Sequence, residues 1–218
     1  MIPVKICGIT SYEDAEIAVH YGASAIGMIF YKDSPRYIYP EKVEEWISTI
    51  PPKVKKVGVF VNEKRKNITN IVEELKLDYI QLHGAESPEY CNKMIRPVIK
   101  VFRVNVDFDP TIIGNFQVHA FLFDTYQKGK PGGTGTSFQW DLISCLKTDT
   151  PIILSGGLNS GNIIKGIKTV LPSAIDVNSG VELEPGVKDK VKVKKLFNTI
   201  KNSNYSTNTR CVFGMDYA

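Results

Sequence analysis

Eight times along the 218-residue chain, a short run rich in β-branched or aromatic residues gives way to a longer amphipathic stretch. This alternation constrains the fold more than any other feature, because strands that alternate with helices build a parallel sheet covered by those helices. The runs read as strands at Val4 to Cys7, Ala25 to Phe30, Lys56 to Val61, Tyr79 to Leu82, Val98 to Val104, Phe121 to Asp124, Ile152 to Ser155 and Ala174 to Val177. Helical stretches begin near Ser11, Pro40, Lys66, Ser87, Phe108, Asp141, Ser160 and Asp189. The clearest runs from Ser160 to Leu171, where Ile163, Ile164, Ile167, Val170 and Leu171 keep a helical period and Pro172 supplies the stop. The weakest, Phe108 to Gly114, amounts to barely one turn. Eight such units close into an α/β fold of the single (β/α)8 TIM-barrel type, small against the roughly 250 residues usual for it. An open doubly wound sheet is the structural alternative. It would announce a nucleotide site with G-x-G-x-x-G after the first strand, and "CGITSY" does not supply one.

Composition narrows the function classes. With 43% hydrophobic residues the chain can fill one large core, so residues 1–201 read as one barrel domain. The segment 202–218, "NSNYSTNTRCVFGMDYA", turns polar and helix-poor and is expected to be a loosely docked or flexible tail. The 27 basic and 23 acidic residues are scattered, which leaves no footprint for nucleic acid, while the net +4 suits an anionic small molecule. No apolar stretch approaches the roughly 20 residues of a membrane span, and no secretory signal precedes the first strand, so a soluble cytoplasmic protein with no membrane partner is expected. The four cysteines form no C-x-x-C pair, and the strand ends show no His/Asp/Glu ligand cluster. Reduced thiols and no metal are therefore expected. Monomer and homodimer both remain open.

In such barrels the active site lies at the C-terminal ends of the strands. Side chains alternate along a strand, so Lys5 and Cys7 share the inner face while Val4 and Ile6 pack outward. Most free cysteines are small buried hydrophobes. Cys7, however, stands at a strand tip beside a glycine and a coming helix N-terminus, which gives the thiol access and a dipole that favours thiolate from a reference pKa of about 8.5. Asp124 ends "FLFDT" and also turns inward. It is either a cap for the next loop or, if apolar neighbours raise its pKa, a general acid. The glycine-bearing turns "LSGGLN" and "DVNSGVE" follow strands seven and eight, where barrels often hold a phosphate on backbone N–H groups, although tight turns need glycine in any case. Strands six and one flank that pair, so Asp124 and Cys7 would stand on either side of a bound phosphate, and a phosphorylated sugar fits. Arg36, after strand two, is a solvated arginine or a carboxylate clamp. His83, at the fourth strand tip, is structural or catalytic.

Together "KICGIT", "GMIFYKDSPRYI", "VGVFVNE", "IQLHG", "FLFDT", "PGGTGTSFQW", "LSGGLN" and "DVNSGVELEPGVKD" resemble the phosphoribosylanthranilate isomerase family of tryptophan biosynthesis. The resemblance runs from about Val4 to the helix after Asp189. It implies a cofactor-free Amadori rearrangement of N-(5'-phosphoribosyl)anthranilate to 1-(2-carboxyphenylamino)-1-deoxyribulose 5-phosphate, with Asp124 as general acid and Cys7 as general base. It further implies that Arg36 holds the anthranilate carboxylate and that Gly156, Gly157, Ser179 and Gly180 supply phosphate contacts, while His83, by its place at the fourth strand tip, is expected to meet the substrate. "GGTG" (Gly132 to Gly135) resembles a mobile loop over the substrate. Asn178 stands where the family more usually has serine, and Cys211 belongs to the tail. Three rivals remain. A covalent thiol nucleophile would need an adjacent base, and His83 lies three strands away. A histidine-pathway isomerase would pair two aspartates, and Cys7 replaces one. A catalytically silent barrel would bind phosphate without turnover.

Overall fold

The computed structural model describes residues 1–105, 107–124, 137–203, 205, 212 and 213, with the backbone alone for 137–139. Eight parallel strands form a closed barrel in chain order: β1 (Val4–Cys7), β2 (Ala25–Ile29), β3 (Lys55–Phe60), β4 (Tyr79–Leu82), β5 (Val98–Arg103), β6 (Ala120–Asp124), β7 (Ile152–Ser155) and β8 (Ala174–Val177). β1 pairs with β2 on one side and with β8 on the other, which closes the ring and rules out the open sheet. The helices are α1 (Tyr12–Tyr21), α2 (Pro40–Ile47), α3 (Arg65–Glu74), α4 (Pro88–Cys91), α5 (Ser137–Ser144), α6 (Ile163–Val170) and α7 (Lys190–Asn202).

Local chemistry sets the boundaries. Ser11 caps α1 by accepting from the Asp14 N–H, and Gly22 ends it in a left-handed conformation. Asp189 caps α7 by accepting from the Val191 and Lys192 N–H groups. α6 is shorter than its periodic sequence: Asn162 is its N-cap, and Leu171, at φ 52°, ends it just before Pro172. After β5 the expected weak helix is a 3₁₀ segment, Pro110–Asn115. Phe116 packs edge-on against Phe102, and Phe108 against Phe123, so aromatic rings cover these strands where a helix would otherwise lie.

Alternation sorts the core into two layers. Val4, Ile6, Ile26, Ile80, Leu82, Phe121, Phe123, Leu154 and Ile175 face the helices. Ala25, Val57, Tyr79, Ile99, Val101, Ala120, Leu122, Ile153 and Ala174 fill the barrel interior. Val212 and Phe213 of the tail join this inner layer, 1% and 2% exposed. The Val212 carbonyl accepts from the Tyr79 hydroxyl at 3.0 Å and from His119 Nε2 at 3.1 Å. Tyr79, Ala25, Ala120 and Ala174 lie at the N-terminal ends of their strands and His119 just before β6, so Val212 and Phe213 sit in the barrel floor, opposite the C-terminal strand ends. The sequence reading allowed a loosely docked tail but not the burial of Val212 and Phe213 inside the barrel. A two-stranded hairpin, β9 (Glu182–Glu184) and β10 (Val187–Lys188), follows β8 and lies outside the eightfold pattern. No described helix is long and apolar enough to cross a membrane.

Candidate active site

At the C-terminal ends of the strands a cavity of about 270 Å³ is lined by Cys7, Arg36, His83, Asp124, Gly156, Gly157, Ser179 and Gly180, and also by Gln81, Ser155, Asp176 and Asn178. Every site residue expected from the sequence thus opens onto one space, although they come from strands one, two, four, six, seven and eight.

The loops after β7 and β8 form one wall of this cavity. Gly156 and Gly157 take φ of 91° and 63°, where a side chain would be strained. Gly180 lies so close to the preceding loop that a Cβ would fall 1.8 Å from the Leu158 carbonyl oxygen. Only glycine lets the two loops touch here, and Ser179 to Val181 form a single 3₁₀ turn at the contact.

Cys7 is 4% exposed and sits at the tip of β1 as alternation requires. Burial pushes its thiol above the ordinary value; Lys5 and Lys188 oppose that rise, and Asp176 adds to it. Lys5 is fully buried and donates to Asp176 Oδ1 at 2.7 Å. Burial alone would lower the Lys5 pKa, but Asp176 and Cys7 more than offset it, so the ammonium stays charged. Ser155 Oγ donates to the other oxygen of Asp176 at 3.4 Å.

Across the cavity, Asp124 Oδ2 lies 3.6 Å from His83 Nε2. Burial pulls the His83 pKa below its ordinary value despite the carboxylate, so the imidazole is neutral at neutral pH. Gln81, on β4 one inward position below His83, keeps a buried Oε1 without a hydrogen-bond partner among the described residues.

Arg36 reaches the cavity wall but is gripped by Glu182: Nε donates to both carboxylate oxygens at 2.9 and 3.1 Å, and Nη2 to Oε2 at 2.7 Å. Lys188 Nζ donates to the same carboxylate at 2.7 Å and to Asn178 Oδ1 at 3.1 Å. Burial would push the Glu182 carboxyl up, yet Arg36 and Lys188 hold it below the usual range. Asn178 is therefore tied into a charged network that fixes the plane of the guanidinium. The sequence reading missed Glu182 and Lys188, which sit on the unforeseen hairpin, and gave Lys5 and Asp176 no role. Their inward parity at strand positions was the available signal for the last two. Gly132 to Gly135 and Cys211 lie outside the described residues. Among those described, no group of three or more His, Cys, Asp or Glu side chains could hold a metal ion.

The family model for N-(5'-phosphoribosyl)anthranilate isomerase matches residues 4–199. The chain belongs to the N-(5'-phosphoribosyl)anthranilate isomerase family. An isomerase of that name from Geobacter sulfurreducens is 43% identical over 203 residues, 92% of this chain and 99% of its own length. The crystal structure of the Thermotoga maritima isomerase superposes with a TM-score of 0.83 at 39% identity, covering 93% of this chain and all of its own. An isomerase solved in complex with reduced 1-(o-carboxyphenylamino)-1-deoxyribulose 5-phosphate superposes at 0.78 with 37% identity over the same shares. The family match ends before the tail that supplies Val212 and Phe213.

Proposed function

We propose that the chain converts N-(5'-phosphoribosyl)anthranilate to 1-(2-carboxyphenylamino)-1-deoxyribulose 5-phosphate, the aldose-to-ketose isomerisation of tryptophan biosynthesis, as a cytoplasmic enzyme acting by general acid and base without a cofactor. The observation that carries this reading is that Cys7 and Asp124 open onto one cavity whose wall is the paired glycine turns after β7 and β8. The phosphate rests on the backbone N–H groups of Gly156, Gly157, Ser179 and Gly180. Arg36, oriented by Glu182, meets the anthranilate carboxylate, and neutral His83 lines the sugar side next to Asp124.

Asp124 gives its proton to the furanose ring oxygen. The bond from that oxygen to C1' breaks, its electron pair goes to the oxygen, and the anilino nitrogen lone pair forms the iminium. The Cys7 thiolate then takes the proton from C2': an S–H bond forms, and the C–H pair becomes the C1'=C2' double bond of an enolamine, neutralising the iminium. Tautomerisation gives the ketone. Two proton-transfer groups suffice, because no atom is gained or lost.

A thiol hydrolase would need a histidine base beside Cys7. The strongest charged neighbours of Cys7 are Lys5, Asp176 and Lys188, and His83 stands against Asp124, which favours proton transfer over acyl transfer. Incubation of the purified chain with the fluorescent anthranilate substrate tests the proposal. Loss of fluorescence with formation of the ketose phosphate is expected; binding without decay would leave a silent phosphate-binding barrel.

A further inference from the structure

Among the described residues, the only charged side chains buried in the barrel's inner layer are a lysine and an aspartate directly beneath the mouth, beside the neutral Gln81. Lys5 and Asp176 are register partners on β1 and β8, joined at 2.7 Å, with side chains 0% and 6% exposed. Burying such a pair costs desolvation that a well-packed apolar pair would not, so stability is a poor reason for its presence. Its position relative to Cys7 supplies a better one. Cys7 stands two residues beyond Lys5 on the same face of β1, and its register partner on β2 is Gly27. A Cβ on Gly27 would lie 2.9 Å from Cys7 Sγ, 3.0 Å from Lys5 Cε and 3.3 Å from Lys5 Nζ. The ammonium therefore bends up into the space that glycine leaves and reaches the level of the sulfur.

We propose that Lys5 and Asp176 are positioning residues for Cys7, setting with opposite signs the charge that its sulfur faces. This rests on the reading of Cys7 as the base. The lysine, whose positive charge both Asp176 and Cys7 favour, stabilises the thiolate that must receive the C2' proton, and the aspartate limits its pull, so that the sulfur remains basic enough to take a proton. The other charge that weighs on Cys7 is Lys188 from the β9–β10 hairpin, itself bound to Glu182 and Asn178. Arg36, Asp124 and His83 line the same cavity.

The test is the pH dependence of Cys7 alkylation by iodoacetamide, followed on the Cys7 peptide by mass spectrometry. Lys5→Met removes the cation and leaves the Asp176 carboxylate facing the sulfur. Its alkylation profile should move up by about one pH unit or more, a roughly tenfold slower reaction at neutral pH. Asp176→Asn leaves the cation uncompensated and should move the profile down. A role confined to packing would move both variants the same way or neither, and either result overturns the proposal. If a single variant fails to fold, the neutral pair Lys5→Met/Asp176→Asn decides. Lys5 Nζ reaches the level of the sulfur while Asp176 is paired with Lys5 two residues further down, so this profile should lie above wild type, and an unmoved profile refutes the proposal. Lys5→Met should also lower kcat far more than it alters KM, with recovery at high pH. Alkylation needs no turnover, so a wild-type chain inert toward the anthranilate substrate would sink the isomerase reading while leaving this result interpretable.

Discussion

Replacing Phe213 with alanine removes the ring that the tail inserts into the barrel floor. At 2% exposure the ring is fully packed, with an edge-on contact to Tyr79 at 5.8 Å between centroids. Truncating a buried Phe typically costs about 3–5 kcal/mol. The loss is capped by what the docking of Val212 and Phe213 contributes, so the low end of that range, about 3 kcal/mol, applies. The two hydrogen bonds to the Val212 carbonyl fall within the same cap, at about 1 kcal/mol each. In a chain of this size each kcal/mol moves Tm by about 2–4 °C, so Phe213→Ala should melt about 6–12 °C below wild type. Ending the chain after Ser203 should cost at least as much. Differential scanning calorimetry reads both. At a temperature where all three proteins are folded, kcat/KM should stay within twofold of wild type, since the floor lies at the opposite end of the strands from Cys7 and Asp124. A Tm change below about 1 °C in both variants would show that the docked tail contributes nothing, and a parallel fall in kcat/KM would show that the two ends of the barrel are not independent.

Gly180→Ala should raise the KM for the phosphorylated substrate at least tenfold while changing kcat less, because a Cβ 1.8 Å from the Leu158 carbonyl oxygen must push the two turns apart; steady-state kinetics decide, and an unchanged KM would mean that the turns do not hold the phosphate. Glu86 accepts from the Asn62 and Gly84 N–H groups and from Lys100 Nζ at 2.7 Å. Burial would raise its pKa, but these donors hold it below the ordinary 4.5. A folded pKa below the unfolded one contributes stability above pH 4.5 that is lost as pH falls through the folded value. Glu86→Gln should thus lower urea stability at pH 7 and flatten its decline toward about pH 3, whereas an acid limb as steep as that of wild type would count against this pairing.

The ring was legible because its grammar is local. Each strand carries its own alternation, so Lys5 and Cys7 could be turned inward, and Val4 and Ile6 outward, without knowing any neighbour. The strand-end rule then gathered Cys7, His83, Asp124 and the two glycine turns. What stayed hidden depends on partners far away in sequence. Val212 is buried by Tyr79 and His119, residues 133 and 93 positions distant. A short apolar patch in a polar tail carries no period from which to read that. Arg36 could be placed at the mouth but not oriented, since its carboxylate partner lies 146 residues on, on a hairpin of three and two residues too short to stand out. The pair beneath Cys7 could be aimed inward by parity, but its 2.7 Å contact follows from ring closure between β1 and β8.

The pairing of Cys7 with Asp124 across a bound phosphate is tested most directly by measuring turnover and inorganic phosphate affinity on the same preparations of Cys7→Ala and Asp124→Asn. Both should lose about 10² to 10⁴ in kcat, as expected when a general acid or base is removed, while binding phosphate as wild type does. Turnover near wild type in either variant would contradict the pairing.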